Sequence, residues 1–146
     1  MVVMDSLLRP REKAQKYWLG FLAKTWLECE RKFKWLSFEL VGKKLVGTGT
    51  KVFNGRTYKF TIEYSPFNGL RLDRVYVETK GLIKCPDTHF NGDGSLCLYH
   101  PIKDLHGRPY VELVDIIPWI AEWLYSYDKY LEFKVWVLPE HPHNMI

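Results

Sequence analysis

The feature that most constrains the fold of this chain is the alternation of apolar and polar residues in TYKFTIEYS, at positions 57–65. The apolar members occupy every second position: Tyr58, Phe60, Ile62 and Tyr64. A period of two predicts a β-strand with one buried face and one solvent-exposed face. The dipeptide Asn54-Gly55 just before it favours a tight hairpin, because both residues accept the positive φ of a type I′ turn.

Three further strand-like segments accompany this one. KWLSFELV (34–41) and KLVGTGTKVF (44–53) are separated by Gly42-Lys43, a short hairpin connection. RVYVETK (74–80) follows a longer turn that begins at Pro66. The sequence therefore predicts a four-strand antiparallel meander.

Two helices are predicted to flank this sheet. Over 10–30, apolar residues recur every three to four positions while lysine and arginine occupy the other face. Pro10 suits the first position of that helix, because an N–H group there would have no intrahelical partner. Over 114–133 the same spacing recurs, with Asp115 expected as a cap and Pro118 expected in the first turn. The second apolar stripe comprises Ile117, Ile120, Leu124, Tyr127 and Leu131.

Length and composition place these elements in one globular unit. The chain has 146 residues, of which 47% are hydrophobic and 26% charged, so we expect a single α+β domain over residues 1–146. The apolar runs are short and the N-terminus lacks a secretory signal, so we expect a cytoplasmic protein without a membrane span. Three cysteines, an odd count, fit a reducing compartment without a structural disulfide.

The positive charge of the chain is concentrated in its first half. The net charge is +4, but residues 1–60 hold 13 Lys and Arg against 5 Asp and Glu, whereas residues 61–146 hold 8 against 12. A basic half is compatible with nucleic acid or with an acidic protein surface as partner. Because no aromatic–basic binding motif accompanies the charge, we expect a solvated helix face and no nucleic-acid partner.

The segment from Cys85 to about Tyr110 lacks a regular pattern but is rich in residues that carry chemistry. Long irregular loops in compact domains are generally functional or disordered, and the Cys, His, Asn and Gly content argues against disorder. Zinc is one possibility, with these candidate ligands: Cys85, His89, Cys97 and His100. Their spacing lacks the usual tight first ligand pair. Cysteine hydrolysis is a second possibility, although no protease signature surrounds any of the five histidines.

Acyl transfer through a thioester is the third possibility. A cysteine that attacks an existing thioester on a partner needs no strong adjacent base, because the exchange is nearly isoenergetic. The site must expose the sulfur and supply a neutral hydrogen-bond donor for the developing oxyanion. Cys97 supplies the sulfur, and Asn91 supplies an amide donor, with the flexible Gly92 and Gly94 between them.

The order of elements and this loop together resemble the ubiquitin-conjugating enzyme (UBC) fold family. That family runs from an N-terminal helix through a four-strand meander to a loop with a His-Pro-Asn motif, the catalytic cysteine and a further helix. Here His89-Phe90-Asn91 stands in for His-Pro-Asn, and GSLCL (94–98) matches the context of the catalytic cysteine. The resemblance implies an α+β fold of UBC type and a conjugating transferase, for which we expect no cofactor.

Two departures from the eukaryotic pattern make the chain most similar to compact bacterial relatives encoded in CBASS antiviral operons. Phe90 replaces the proline of the motif, and the spacing from Asn91 to Cys97 is shorter than in the typical eukaryotic enzyme. The stretches DGSLCLYHP (93–101) and WVLPEHPH (136–143) are similar to that group. In those systems a conjugating-enzyme-like protein joins the C-terminus of a cGAS-like nucleotidyltransferase to a target, which primes second-messenger synthesis.

The resemblance also implies partners and residue roles. The expected partners are an activating-enzyme-like protein and, as acyl donor, a cGAS-like nucleotidyltransferase or a ubiquitin-like modifier. Cys97 is the expected nucleophile, Asn91 is expected to stabilise the oxyanion or hold the loop that does, and His89 is expected to brace the loop. Three histidines have no counterpart in the eukaryotic motif and could orient or deprotonate an incoming amine: His100, His141 and His143. A catalytically inactive interaction module of the same fold and a zinc-binding module remain the alternatives.

Overall fold

The computed structural model describes residues 17–65, 73–98 and 111–136, which have the α+β layout of the UBC fold. The elements follow in this order: α1 (Trp18–Lys32), β1 (Leu36–Val41), β2 (Lys44–Phe53), β3 (Arg56–Tyr64), β4 (Asp73–Val77), a 3-10 turn (Pro86–Thr88) and α2 (Leu113–Phe133). The four strands form one antiparallel sheet in the order β1-β2-β3-β4. The predicted meander between two helices is confirmed.

The predicted turn between β2 and β3 is also confirmed. Asn54 and Gly55 have φ angles of 49° and 79°, which are the positive values that a type I′ turn requires. This turn sets the register that places Phe53 opposite Arg56, and the pairing continues from there to Leu45 opposite Tyr64. The apolar side chains of β3 consequently share one face of the sheet, and all of them are buried.

Three details of the predicted elements are wrong. Glu112 occupies the N-cap of α2 in an extended conformation, whereas Asp115 lies in the first turn with its N–H donating to the Glu112 carbonyl at 3.0 Å. Pro118 lies inside the helix, beyond the first turn, where it removes the hydrogen bond that an N–H would donate to the carbonyl of Val114. Strand β4 ends at Val77 rather than at Lys80. The predicted first part of α1, residues 10–16, lies outside the described residues.

The core joins the buried face of the sheet to both helices. Leu22 and Cys29 of α1 are fully buried in it, and α2 contributes the predicted stripe, of which only Leu131 is partly exposed. The Tyr64 hydroxyl donates to the Val111 carbonyl at 2.8 Å, which ties β3 to the segment that leads into α2. Within the described parts of the chain, no helix has both the length and the apolar character needed to cross a bilayer.

A close approach between neighbouring chain segments makes Gly49 of β2 sensitive to substitution. A Cβ atom there would overlap the Trp35 carbonyl and lie 2.9 Å from Cε3 of the Trp35 ring. We expect Gly49→Ala to lower the free energy of unfolding by about 1–3 kcal/mol, because backbone and ring must both move. A lower urea midpoint with an unchanged slope would report this loss.

Gly20 of α1 provides a matched control, because a Cβ there would meet no atom within 4 Å. Gly20→Ala should raise the free energy of unfolding by about 0.5–1 kcal/mol, the usual helix preference for alanine over glycine. Equal effects of the two substitutions would contradict the packing described for Gly49.

Candidate active site

The segment from His89 to Cys97 is a tight hairpin. The Cys97 N–H donates to the His89 carbonyl at 2.8 Å, and the Asn91 N–H donates to the Ser95 carbonyl at 2.7 Å. Between these bonds Phe90 pairs with Leu96 in an antiparallel bridge. The tip closes through the Gly94 N–H, which donates to the Asn91 carbonyl at 2.9 Å. The backbone of Cys97 therefore lies directly opposite His89.

This hairpin is attached to the sheet and to α2. The Leu96 N–H donates to the Val75 carbonyl of β4 at 2.8 Å, so the second arm of the hairpin lies against the edge strand. The indole N–H of Trp123 on α2 donates to the Thr88 carbonyl at 3.1 Å, just before the first arm. The Trp123 ring also meets Phe90 edge to face, with centroids 5.5 Å apart. Both arms are consequently held by elements of the core.

Thr88 organises the backbone that leads into the hairpin. Its side chain is fully buried, and its hydroxyl accepts a hydrogen bond from the Cys85 N–H at 3.0 Å. The same hydroxyl is 2.8 Å from the Ile83 carbonyl and 3.0 Å from the Cys85 carbonyl, to which it can donate. The Ile83 N–H donates in turn to the hydroxyl of Tyr127 at 2.9 Å. A buried threonine thus satisfies polar backbone groups that would otherwise be costly to bury.

A polar network fixes the tip. The Asn91 amide nitrogen donates to the Ser95 hydroxyl at 3.1 Å and to the Leu96 carbonyl at 3.0 Å. The Ser95 hydroxyl donates to Oδ1 of Asp93 at 2.6 Å, and the Ser95 N–H donates to the same oxygen at 2.9 Å. The other oxygen of Asp93 lies 3.1 Å from Nε of Arg74 on β4. Asn91 is therefore held between the tip and the peptide that precedes Cys97.

His89 has a strained backbone and an aromatic partner. Its φ angle of 58° lies in the left-handed region, which is uncommon for a non-glycine residue. Its ring lies 4.5 Å from that of Trp136, centroid to centroid, with the planes tilted by 31°. Trp136 in turn lies 6.2 Å from Trp123 in the middle of α2, so His89 joins an aromatic cluster with these two tryptophans.

The three cysteines occupy different environments. Cys29 is fully buried, and burial, with a smaller contribution from the nearby Glu28 carboxylate, raises its pKa to about 12. Cys85 and Cys97 are partly exposed, and neither forms a disulfide. The Cys85 sulfur lies 3.7 Å from the Thr88 hydroxyl. Cys29 is thus a core thiol, and the predicted nucleophile Cys97 lies on the hairpin.

An open cavity of about 370 Å³ lies beside the hairpin. Its lining comprises Lys84, Cys85, Phe90, Asn91, Gly92 and Gly94. The Lys84 ammonium lies 5.4 Å from the centroid of the Phe90 ring, which gives the cavity one cationic and one aromatic wall. Such a cavity can admit an extended peptide or a side chain next to Asn91.

The structure brings three of the predicted site residues together: Cys97, Asn91 and His89. His100, His141 and His143 lie outside the described residues, so their expected action on an incoming amine stays a prediction. Within the described ranges, no group of three or more His, Cys, Asp or Glu side chains is arranged to hold a metal ion.

Several residues that shape this site could not be predicted from the sequence. No pattern marks Thr88 or Ser95 as a buried polar anchor, and the sequence predicts Arg74 only as part of a strand. The order Asp93-Gly94-Ser95 does carry a signal, because an aspartate often accepts a hydrogen bond from the backbone N–H two residues later. That bond is present here, from the Ser95 N–H to Asp93.

A comparison with protein families gives a match over most of the chain. The model of a family described as Type II CBASS E2 protein matches residues 25–144. The chain belongs to this family. As a CBASS E2 protein it is a conjugating-enzyme-like component of antiphage defence that works with other CBASS proteins, and the resemblance to the CBASS conjugating-enzyme-like group is confirmed. Searches of the curated proteins and of the solved structures gave no match.

The environments of the cysteines predict which thiols can be modified. At pH 8 a thiol with a pKa of about 12 has about one molecule in ten thousand in the reactive thiolate form, and burial also blocks access. We expect N-ethylmaleimide to add to Cys85 and Cys97 in the folded protein and to spare Cys29, as counted by intact mass.

Unfolding in urea is the control for this labelling, because burial is then lost and all three thiols should react. Modification of Cys29 in the folded protein as fast as the other two would contradict its described burial.

Proposed function

We propose that this CBASS E2 protein carries an acyl group as a thioester on Cys97 and transfers it to an amine. The observation that supports this most is the hairpin geometry within a chain of this family. Cys97 is partly exposed, its backbone pairs with His89, and the Asn91 amide bonds to the Leu96 carbonyl, one peptide before the sulfur-bearing residue. A nucleophile and an amide donor thus share one fastened loop.

The first step of this proposal is a thioester exchange. The Cys97 thiolate attacks the carbonyl carbon of a thioester on an activating-enzyme-like partner. A new C–S bond forms to Cys97, the old C–S bond breaks, and the partner's thiolate leaves. Because one thioester replaces another, the step needs no strong base beside Cys97.

The second step is the attack of an amine on the Cys97 thioester. The amine nitrogen forms a bond to the carbonyl carbon, the C–S bond breaks with Cys97 leaving as a thiolate, and the nitrogen loses its proton to solvent water. Negative charge develops on the carbonyl oxygen in the tetrahedral state, where a fixed amide donor is most valuable. We assign that donation to Asn91.

In this proposal His89 acts on the loop rather than on the substrate. Its carbonyl receives the Cys97 N–H, and its ring packs against Trp136, so it fixes the arm opposite the nucleophile. The open cavity lined by Phe90, Asn91 and Gly94 provides room for a chain segment of the acyl donor or acceptor.

We further propose that residues 1–146 form one conjugating domain and that the acyl donor is the C-terminus of a protein. In a CBASS setting a cGAS-like nucleotidyltransferase is the leading donor, with a ubiquitin-like modifier as the other candidate. The excess of basic residues in the first half of the chain supports an acidic docking surface on the activating partner.

One observation favours a second candidate, an interaction module of the same fold without catalysis. Both N–H groups of the Asn91 amide already have partners within the loop, so the side chain is not directed at an empty oxyanion position. In that case the hairpin would serve as a rigid surface, and Cys97 would be an ordinary loop thiol.

The nucleophile can be tested with the activating-enzyme-like partner, ATP and the nucleotidyltransferase on a gel run without reductant. We expect a thiol-sensitive adduct with the wild-type chain, a reductant-resistant oxyester with Cys97→Ser, and no adduct with Cys97→Ala. The serine oxygen forms an ester that thiols do not cleave, which explains the change in sensitivity.

Cys85→Ser is the matched control, because Cys85 is the other partly exposed cysteine of this region. It should keep the thiol-sensitive adduct. An adduct that survives Cys97→Ala, or that disappears only with Cys85→Ser, would overturn the assignment, whereas no adduct with any chain would favour the interaction module.

A further inference from the structure

We propose that Ser95 is the resting partner of the Asn91 amide, and that the exchange of the Asn91–Ser95 hydrogen bond for a bond to the thioester oxyanion is a step of the transfer. Arg74 and Asp93 act as positioning residues that set this resting state. The inference rests on the proposed function, because it concerns how the proposed oxyanion donor becomes available.

The resting amide has no N–H group to spare. A primary amide offers two N–H donors, and the Asn91 amide nitrogen has two acceptors within the loop, the Ser95 hydroxyl at 3.1 Å and the Leu96 carbonyl at 3.0 Å. Asn91 can therefore contact an oxyanion only if it gives up one of these bonds. The proposed oxyanion contact therefore requires that one of the two hydrogen bonds of the Asn91 amide can be exchanged for a bond to the substrate.

The bond to Ser95 is the one suited to exchange. The Leu96 carbonyl belongs to the peptide that precedes Cys97, so keeping that bond keeps the amide beside the sulfur. Release from Ser95 leaves the Ser95 hydroxyl with its own 2.6 Å donation to Asp93, so this buried hydroxyl still has a strong hydrogen bond. The amide can then turn about its bond to Leu96 and present the freed N–H to the substrate.

The direction of the exchange follows from charge. A neutral hydroxyl is an ordinary acceptor, whereas an oxyanion forms charge-assisted hydrogen bonds that are roughly twice as strong. The exchange is therefore favourable in the tetrahedral state and unfavourable with a neutral thioester in its ground state. An interaction that strengthens only in the transition state accelerates the chemical step.

Arg74 and Asp93 determine which way the Ser95 hydroxyl points. Asp93 accepts both the hydroxyl and the N–H of Ser95 at Oδ1, which directs a lone pair of the hydroxyl at Asn91. The other carboxylate oxygen lies 3.1 Å from Nε of Arg74, whose NH1 also donates to the Asp73 carbonyl at 2.8 Å. The resting state of the loop tip is thus set by a residue on β4.

The test uses a chemical probe that needs no partner protein. An N-acetylglycylglycine thioester of mercaptoethanesulfonate should charge Cys97 in a Cys85→Ser background, with release of the mercaptoethanesulfonate thiolate. Hydroxylamine is then added, and loss of the acyl group is followed by intact mass. Its nitrogen bonds to the carbonyl carbon and loses a proton, while Cys97 leaves as a thiolate.

We expect Ser95→Ala to discharge about three- to tenfold faster at saturating hydroxylamine, with an unchanged KM. That factor corresponds to removing the net cost of breaking one neutral hydrogen bond. Asn91→Ala should discharge about 10²–10³-fold more slowly, the usual loss for one oxyanion donor. The double variant should match Asn91→Ala, because the gain from Ser95→Ala acts through the Asn91 amide.

Two matched controls accompany these variants. Ser126→Ala makes the same change at another buried serine, on α2, and should discharge at the wild-type rate. Arg74→Gln should give a smaller acceleration than Ser95→Ala, whereas Lys44→Gln, which breaks a different sheet ion pair of 3.5 Å to Glu63, should give none.

The outcomes separate the two levels of the proposal. If the Cys85→Ser chain takes up the probe at Cys97 and the added Ser95→Ala substitution leaves the discharge rate unchanged or lower, the resting-partner role is wrong although the proposed function stands. If the double variant discharges faster than Asn91→Ala alone, the resting-partner role of Ser95 is likewise wrong. If the folded wild-type chain takes no acyl group at Cys97, the proposed function fails and this inference fails with it.

Discussion

The hydrogen bond from the Leu96 N–H to the Val75 carbonyl is the interaction on which the candidate site depends. At 2.8 Å it joins the arm of the hairpin that carries Cys97 to the edge strand of the sheet. The other arm is fastened by Trp123 through the Thr88 carbonyl at 3.1 Å. Both arms of the hairpin are thereby attached to elements of the core, and the proposed transfer requires such a positioned loop.

Two of the cysteines lie in contrasting environments. Cys29 packs in the core, where burial raises its pKa to about 12 and makes it unreactive. Cys97 is partly exposed on the hairpin, directly after the Leu96 carbonyl that accepts a hydrogen bond from the Asn91 amide. The network that runs from Arg74 through Asp93 to Asn91 connects this donor to the sheet. The contacts that attach the loop tip to the sheet are therefore also the contacts that position the proposed donor Asn91.

Much of the fold could be predicted from the sequence because its signals are local. The alternation in β3 and the Asn54-Gly55 turn specify the sheet without reference to distant residues. The start of α2 could not be predicted correctly, because Pro118 resembled a first-turn proline while the backbone placed Glu112 at the cap.

The candidate site could be predicted only in part, because its supports come from distant parts of the chain. The motif around Cys97 is local and could be read directly. By contrast, Trp123 and Thr88 are separated by 35 positions, and no periodic pattern relates them.

The most direct test of the account is to locate the acyl group after reaction with the CBASS partners, by peptic digestion at low pH without reductant and mass spectrometry. The account predicts a thiol-sensitive acyl group on the peptide that contains Cys97, whereas an acyl group on Cys85 with Cys97 unmodified would contradict it.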